Sequence, residues 1–328
     1  MNQTCFINAL EVLDTEEGWQ PVRFSPHQLE AFSDHDMFQI RSLCNAGIAL
    51  DFYTDASYVQ FQYVVKEWVR DYLAFDIYVD NIFVDQVYTA SNESGEHTFI
   101  YEMSQPEVSK QERRITIYLP HNVQTTYREF ILSDGATWRV AESPEKRLLC
   151  LGDSITQGMD AVNPSLTYPV MLARQLNMGL LNQGVGGHIF DEGTIDPHLS
   201  YRPHLITVAY GTNDWIRYQQ LSELEKACEA YLHRLHEVFP HTPIFVVTPI
   251  WRVDGGTARP SGTFEEVSSA IRSIASRMPN TVVINGLELV PHLPAMYADL
   301  VHPTNEGFVH MAMNLAKRIH QHHNKEEV

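Results

Sequence analysis

The strongest constraint in this sequence is an alternation that fills its second half. Five short apolar runs recur there: Leu148 to Leu151, Gly179 to Asn182, Leu205 to Tyr210, Ile244 to Thr248 and Thr281 to Ile284. None carries a helical period, and each reads as a buried strand. The segments Tyr168 to Leu176, Leu221 to Phe239, Phe264 to Met278 and Asn305 to His320 read as helices. In the clearest of them Leu224, Ala227, Cys228, Tyr231, Leu232 and Leu235 fall on one stripe. Alternating strands and helices require right-handed crossovers and a parallel sheet covered on both faces. Five strands predict a flavodoxin-like three-layer α/β/α domain.

Sheets of this kind bind ligands beyond the C-terminal ends of their strands. Four polar stretches belong at that edge. Gly152-Asp153-Ser154-Ile155 follows the first strand, and Asn182-Gln183-Gly184-Val185-Gly186-Gly187-His188 the second. Gly211-Thr212-Asn213-Asp214 follows the third, and Asp299-Leu300-Val301-His302-Pro303 precedes the last helix. Singly, each has a plain explanation. Gly-Asp-Ser and Gly-Thr-Asn-Asp are ordinary turn chemistry, and Asp-x-x-His is ordinarily a turn or a helix start. The glycine loop lacks the register and the lysine of a phosphate cradle.

Jointly they supply what acyl transfer by serine requires: a nucleophile, a base, a group that orients the base, and donors for the oxyanion. Ser154 is the candidate nucleophile, His302 the base and Asp299 its orienting carboxylate. The Ser154 N–H, the Gly187 N–H and the Asn213 amide are the candidate oxyanion donors. Asp153, Trp215, Trp251 and His188 are candidate substrate contacts by position alone. A histidine paired with one carboxylate predicts an acid limb of activity around pH 6 to 7.

These stretches resemble, in order and spacing, the four blocks of the SGNH (GDSL-type) hydrolase family, over about residues 147 to 322. The resemblance implies Ser154 as nucleophile, an oxyanion hole of Ser154, Gly187 and Asn213, and a triad completed by Asp299 and His302. Ile155 stands where the family name has Leu, a conservative exchange.

The first half follows a different grammar. Gly47 to Tyr53, Tyr58 to Val65, Leu73 to Val79, Ile82 to Tyr88, His97 to Tyr101, Arg114 to Leu119 and Arg128 to Leu132 are rich in Val, Ile, Phe and Tyr, and several alternate with polar residues. Asp80-Asn81 reads as a two-residue hairpin turn. From about Phe38 to Val140 no useful helical period is visible, so an all-β, jelly-roll-like sandwich is expected. Tyr58, Tyr63, Trp68, Tyr72 and Tyr78 suit core packing better than a sugar-stacking platform. The polar stretch Ala141 to Lys146 divides a sandwich domain, residues 1–143, from an α/β/α domain, residues 144–328. A sandwich ahead of an SGNH domain is similar to two-domain carbohydrate esterases and some acyltransferase-like relatives.

Composition limits the partners. Lys and Arg number 23 against 41 Asp and Glu, a net charge of -18 over 328 residues. That disfavours nucleic acid and anionic membranes. The N-terminus lacks the basic and apolar regions of a secretory signal. Cys5, Cys44, Cys150 and Cys228 are scattered, which suits free thiols in a reducing compartment. A cytoplasmic protein without metal or cofactor is expected, with homo-oligomerisation left open. The expected activity is a serine esterase that removes short acyl groups, acetyl foremost, from a carbohydrate or other hydroxylated small molecule. The alternatives are an acyltransferase with the same acyl-enzyme, a lipase or thioesterase with longer chains, and, in another class, a non-catalytic carbohydrate-binding protein.

Overall fold

The structure, a computed structural model, describes residues 2–103 and 111–326. Its first half is built from β1 (Phe6–Ile7), β2 (Glu11–Thr15), β3 (Gly18–Val22), β4 (Ala49–Thr54), β5 (Tyr58–Trp68), β6 (Leu73–Val79), β7 (Ile82–Thr89), β8 (Gly95–Glu102), β9 (Arg113–Tyr118), β10 (Val123–Leu132) and β11 (Trp138–Val140). They form two sheets, ordered β1-β4-β9-β6-β7 with β11 added on β4, and β2-β3-β10-β5-β8. Every pairing in them is antiparallel. The period of two explains the sandwich. Val59, Phe61, Tyr63 and Val65 of β5 turn inward and meet Phe52, Phe75, Ile77, Phe99, Ile115 and Ile117. Between β6 and β7, Asp80 and Asn81 both take positive φ, 50° and 67°. That is the geometry of a tight hairpin whose twist matches its strands.

Two short helices interrupt this half, where none was expected. They are α1 (Pro26–Ala31) and α2 (Asp36–Ser42). Neither is long enough to display a period. Yet α1 has a start signal: Ser25 and Gln28 form a reciprocal capping box around Pro26. Phe24, Phe32 and Phe38 of this segment pack on Val185, in the second half of the chain. The helical pair therefore belongs to the seam between the halves rather than to the sandwich core.

The second half is the α/β/α domain that its alternation implies. Strands β12 (Arg147–Gly152), β13 (Gly179–Gly184), β14 (Leu205–Ala209), β15 (Ile244–Val247) and β16 (Thr281–Ile284) form a parallel sheet. Its order, β13-β12-β14-β15-β16, is the flavodoxin-like one. The helices are α3 (Ser154–Gln157), α4 (Tyr168–Leu176), α5 (Asp214–Arg217), α6 (Leu221–Val238), α7 (Phe264–Ala275) and α8 (Asn305–Glu326). Leu148 and Cys150 of β12 bury against α4 and α8, while Leu149 and Leu151 bury against α6 and α7. Both faces are thus covered, which is why these strands read as unbroken apolar runs. No helix among the described residues is long and apolar enough to cross a membrane.

One guanidinium stitches the seam. Arg23, fully buried, donates through Nε to the Cys44 carbonyl at 2.7 Å and through Nη1 to those of Asn182 and Gly184 at 2.7 and 3.0 Å. Its Nη2 donates to the Arg41 carbonyl at 2.8 Å. Burial lowers its pKa to about 10. Arg23→Met would keep the packing stem and leave these carbonyls unpaired. It should lower the unfolding free energy by about 2–4 kcal/mol. Urea denaturation of both forms checks this, and an unchanged midpoint would show that the seam does not depend on Arg23.

Candidate active site

The serine stands where two glycines allow a helix to begin directly over the sheet edge. A Cβ on Gly152 would lie 2.1 Å from Thr156 Oγ1 and 2.7 Å from the Ala209 carbonyl oxygen. A Cβ on Gly184 would lie 2.2 Å from the Gln157 nitrogen. With both absent, α3 settles on the ends of β12 and β13. Asp153 caps it, with Oδ1 accepting the Ile155 N–H at 2.9 Å. The Ser154 N–H, in the first turn, has no acceptor within the helix. Asn182 Nδ2 donates to the Thr156 carbonyl at 2.8 Å, and Gln157 Oε1 accepts the Gly186 N–H at 2.8 Å. The serine helix and the glycine loop are thereby one unit.

His302 reaches this unit from 148 positions away, with Nε2 2.8 Å from Ser154 Oγ. Its Nδ1 is 2.8 Å from Asp299 Oδ2. Asp299 also builds the turn, because its Oδ1 accepts the backbone N–H groups of Val301 and His302 at 2.6 and 2.7 Å. A second carboxylate lies at the same nitrogen: Asp160 Oδ2 is 3.0 Å from His302 Nδ1. Arg70, from the sandwich half, grips Asp160 with Nε on Oδ1 at 2.5 Å and Nη2 on Oδ2 at 2.9 Å.

Charge follows geometry. Burial alone would lower the pKa of His302, but the two carboxylates beside it, Asp160 and Asp299, carry it up to about 9. Burial would raise Asp299, and its bonds from His302 bring it down to about 2. Burial would likewise raise Asp160, yet Arg70 and His302 hold it far below the carboxylate range. Asp160, Asp299 and His302 are also close enough together to hold a cation. Ligation through Nδ1 would displace the proton that Nδ1 shares with the two carboxylates.

The candidate oxyanion donors sit on neighbouring strand ends. Gly187 takes φ 78°, and a Cβ there would lie 2.9 Å from Arg41 Nη1, which donates to the Gly186 carbonyl at 2.7 Å. Asn213 Nδ2 donates to the His188 carbonyl at 3.0 Å, which joins the second and third loops and fixes the amide.

The expected substrate contacts fare differently. Trp215 is fully buried, with Nε1 donating to the Gly262 carbonyl at 2.9 Å and its ring against Phe264. It packs the core and walls no substrate. Asp153 is buried as a helix cap, and burial raises its pKa to about 6. The His188 ring is buried edge-on among Phe32, Phe38 and Tyr210, and burial lowers its pKa to about 3. Its carbonyl, not its imidazole, serves the site. Trp251 stays half-buried, stacked on His292 and edge-on to Tyr297. Asp160, Arg70 and Arg41 escaped the sequence reading. Asp160 lies in an irregular loop with no motif spacing, and Arg70 is 90 positions from it. The single legible hint was an acidic residue shortly after the serine helix.

Residues 150–308 match the GDSL-like Lipase/Acylhydrolase family. No curated protein matches the chain. Among solved structures, a salicylyl-acyltransferase from a tetracycline biosynthetic pathway is 17% identical, with TM-score 0.79 over 94% of this chain and 92% of that one. A protein described as a GDSL-like lipase from Bacteroides ovatus is 17% identical, with TM-score 0.78 over 96% and 94%. An acetyl xylan esterase from the rumen bacterium Butyrivibrio proteoclasticus is 13% identical, with TM-score 0.65 over 99% and 97%. The likeness spans both halves, so the two-part fold itself is shared.

A base must be neutral to accept the serine proton, so activity should fall as pH falls through the pKa of His302. The second carboxylate moves that limb above the range expected for one. The acid limb of kcat/KM on a neutral ester should lie between about pH 7 and 9. A profile already flat from pH 6 upward would show that Asp160 and Asp299 do not act together on His302.

Proposed function

We propose that this chain, whose residues 150–308 match the GDSL-like Lipase/Acylhydrolase family, is a serine esterase removing short acyl groups, acetyl foremost, from a carbohydrate or other hydroxylated small molecule. The observation that carries the reading is the unbroken relay from Ser154 Oγ through His302 to a carboxylate, with 2.8 Å at each step. Ser154 Oγ attacks the ester carbonyl carbon while His302 Nε2 takes its proton. The carbonyl electrons move to oxygen, and the oxyanion is met by the Ser154 and Gly187 N–H groups and the Asn213 amide. His302 then protonates the departing alkoxide, leaving an acyl-serine. Water attacks this ester, its proton passing to His302 and then back to Ser154 as the acid leaves.

The short-acyl part rests on the loop after β15. Arg252 is buried there and pairs with Asp254 at 2.5 Å, and Arg259 joins the same carboxylate at 3.5 Å. Both guanidiniums stack over Trp215. A loop closed by charges is not the apolar wall a fatty chain needs, since each methylene gains only about 0.8 kcal/mol and only when covered. The carbohydrate part leans on the fold shared with an acetyl xylan esterase. A second reading, transfer of the acyl group to an alcohol, uses the same acyl-enzyme and is favoured by the fold shared with a salicylyl-acyltransferase. Four buried free cysteines suit a reducing compartment such as the cytoplasm.

The test is a panel of acetylated sugars and p-nitrophenyl esters of rising chain length, with Ser154→Ala as control. kcat/KM should peak at acetyl or propionyl and fall steeply beyond about eight carbons. Ser154→Ala should lose at least about 10³-fold with its fold intact. A preference for palmitoyl esters would sink the short-chain reading, and near-normal turnover by the alanine variant would sink the esterase itself.

A further inference from the structure

His302 Nδ1 has two candidate partners, and they are unequal. The Asp299 side chain is 48% exposed and belongs to the same turn as His302. The Asp160 side chain is 16% exposed, against 14% for His302 itself. Exposed ion pairs are screened by water and orient weakly, whereas shielded ones hold their geometry. Asp160 is also anchored by a two-point guanidinium grip, which fixes a carboxylate plane as a single contact does not.

The loop that carries Asp160 is fastened to the sandwich along its length. Tyr72 Oη donates to the Ala161 carbonyl at 2.9 Å. Gln86 Nε2 donates to the Val162 carbonyl at 3.3 Å. Asp76 of β6 accepts from Asn163 Nδ2 at 2.8 Å, from the Ser165 N–H at 2.9 Å and from Ser165 Oγ at 2.6 Å. From the other side Asn305, the first residue of α8, accepts the Val162 N–H at 2.9 Å. Asp160 itself takes φ 69°, a left-handed conformation that such fastening must sustain.

We infer that Asp160, locked by Arg70 of the β-sandwich, is a second positioning carboxylate for His302, so that the sandwich completes the catalytic machinery. It acts through His302 and does not touch the substrate. The inference rests on the esterase reading and adds a fourth member to its relay. Either carboxylate can accept the Nδ1 proton and keep Nε2 free for Ser154. Loss of one leaves the tautomer fixed, and loss of both does not. The charged groups around His302 are Asp299 from its own turn, Asp160 with Arg70 behind it, and the buried Asp153 beneath the serine. His121 and Tyr72 face Asp160 from the sandwich side. Burial keeps His121 neutral by lowering its pKa to about 4, and keeps Tyr72 neutral by raising its own beyond the phenol range.

The experiment compares the full chain with Asp299→Asn, Asp160→Asn, the double variant and Arg70→Met, on p-nitrophenyl acetate from pH 6 to 10. Asp299→Asn is the decisive single change, because an exposed side chain can be altered without threatening the fold. It should cost no more than about 30-fold in kcat, since Asp160 remains, while the double variant should lose about 10⁴-fold, the cost of a base without an orienting carboxylate. Asp160→Asn should move the acid limb of kcat/KM down by about one pH unit or more. Arg70→Met added to Asp299→Asn, where Asp160 is the remaining carboxylate, should lower kcat further with little change in KM. The inference is overturned if Asp299→Asn alone falls to the level of the double variant, or if a folded Asp160→Asn keeps both kcat and acid limb. It is overturned as well if, in the Asp299→Asn background, kcat is indifferent to Arg70. An activity-independent check is the NMR titration of the His302 imidazole, which should titrate lower in Asp160→Asn. An unmoved titration in that variant counts against the inference, whereas a wild-type chain inactive on every ester counts against the esterase reading instead.

Discussion

A loop of irregular backbone can hold a charged group against the His302 imidazole only if its own polar groups are satisfied elsewhere. The stretch from Asp160 to Ser165 meets that condition by borrowing from the sandwich. Arg70, Tyr72, Asp76 and Gln86 take up its side chains and backbone, and Asn305 closes it from the α8 side. Asp76 accepts these bonds while buried, and burial still raises its pKa. The loop is therefore costly to release. It ties the sandwich half to the α/β/α half beside the point where His302 meets Ser154.

A second seam works in the same way. Arg23 and Arg41 reach from the first half to the carbonyls of the glycine loop, Arg23 to those of Asn182 and Gly184 and Arg41 to that of Gly186. Inside the loop, the N–H groups of Gly184, Val185, Gly186 and His188 are taken up by Asn182 Oδ1, the Gly152 carbonyl, Gln157 Oε1 and the Val185 carbonyl. Arginine suits both seams because its planar fork satisfies several acceptors at once and stays charged when buried. The sandwich and its helical pair thus act less as an appended module than as the outer wall of the site.

The second half was legible because its constraints are local. Strands buried on both faces must be continuously apolar, and the loops after them carry the chemistry, so Ser154, Gly187, Asn213, Asp299 and His302 could be assembled at one edge from order alone. Burial of side chains was not legible. Trp215 and His188 stand next to site residues in sequence but point into the core, since a residue beside a strand end can turn either way. Two short helices were missed because six or seven residues make too few turns to show a period, although the Ser25 and Gln28 cap was there to be read. Asp160 and Arg70 could not be found, because their meaning lies in a contact between distant segments.

The central claim is that Ser154 is an activated nucleophile, and the most direct measurement is covalent labelling. The intact chain treated with a fluorophosphonate at about pH 8.5 should gain the mass of one adduct, and peptide mapping should place it on Ser154. Labelling should slow as the pH is lowered, because protonated His302 no longer accepts the serine proton. No adduct, or an adduct on another residue at the same rate in Ser154→Ala, would contradict the account.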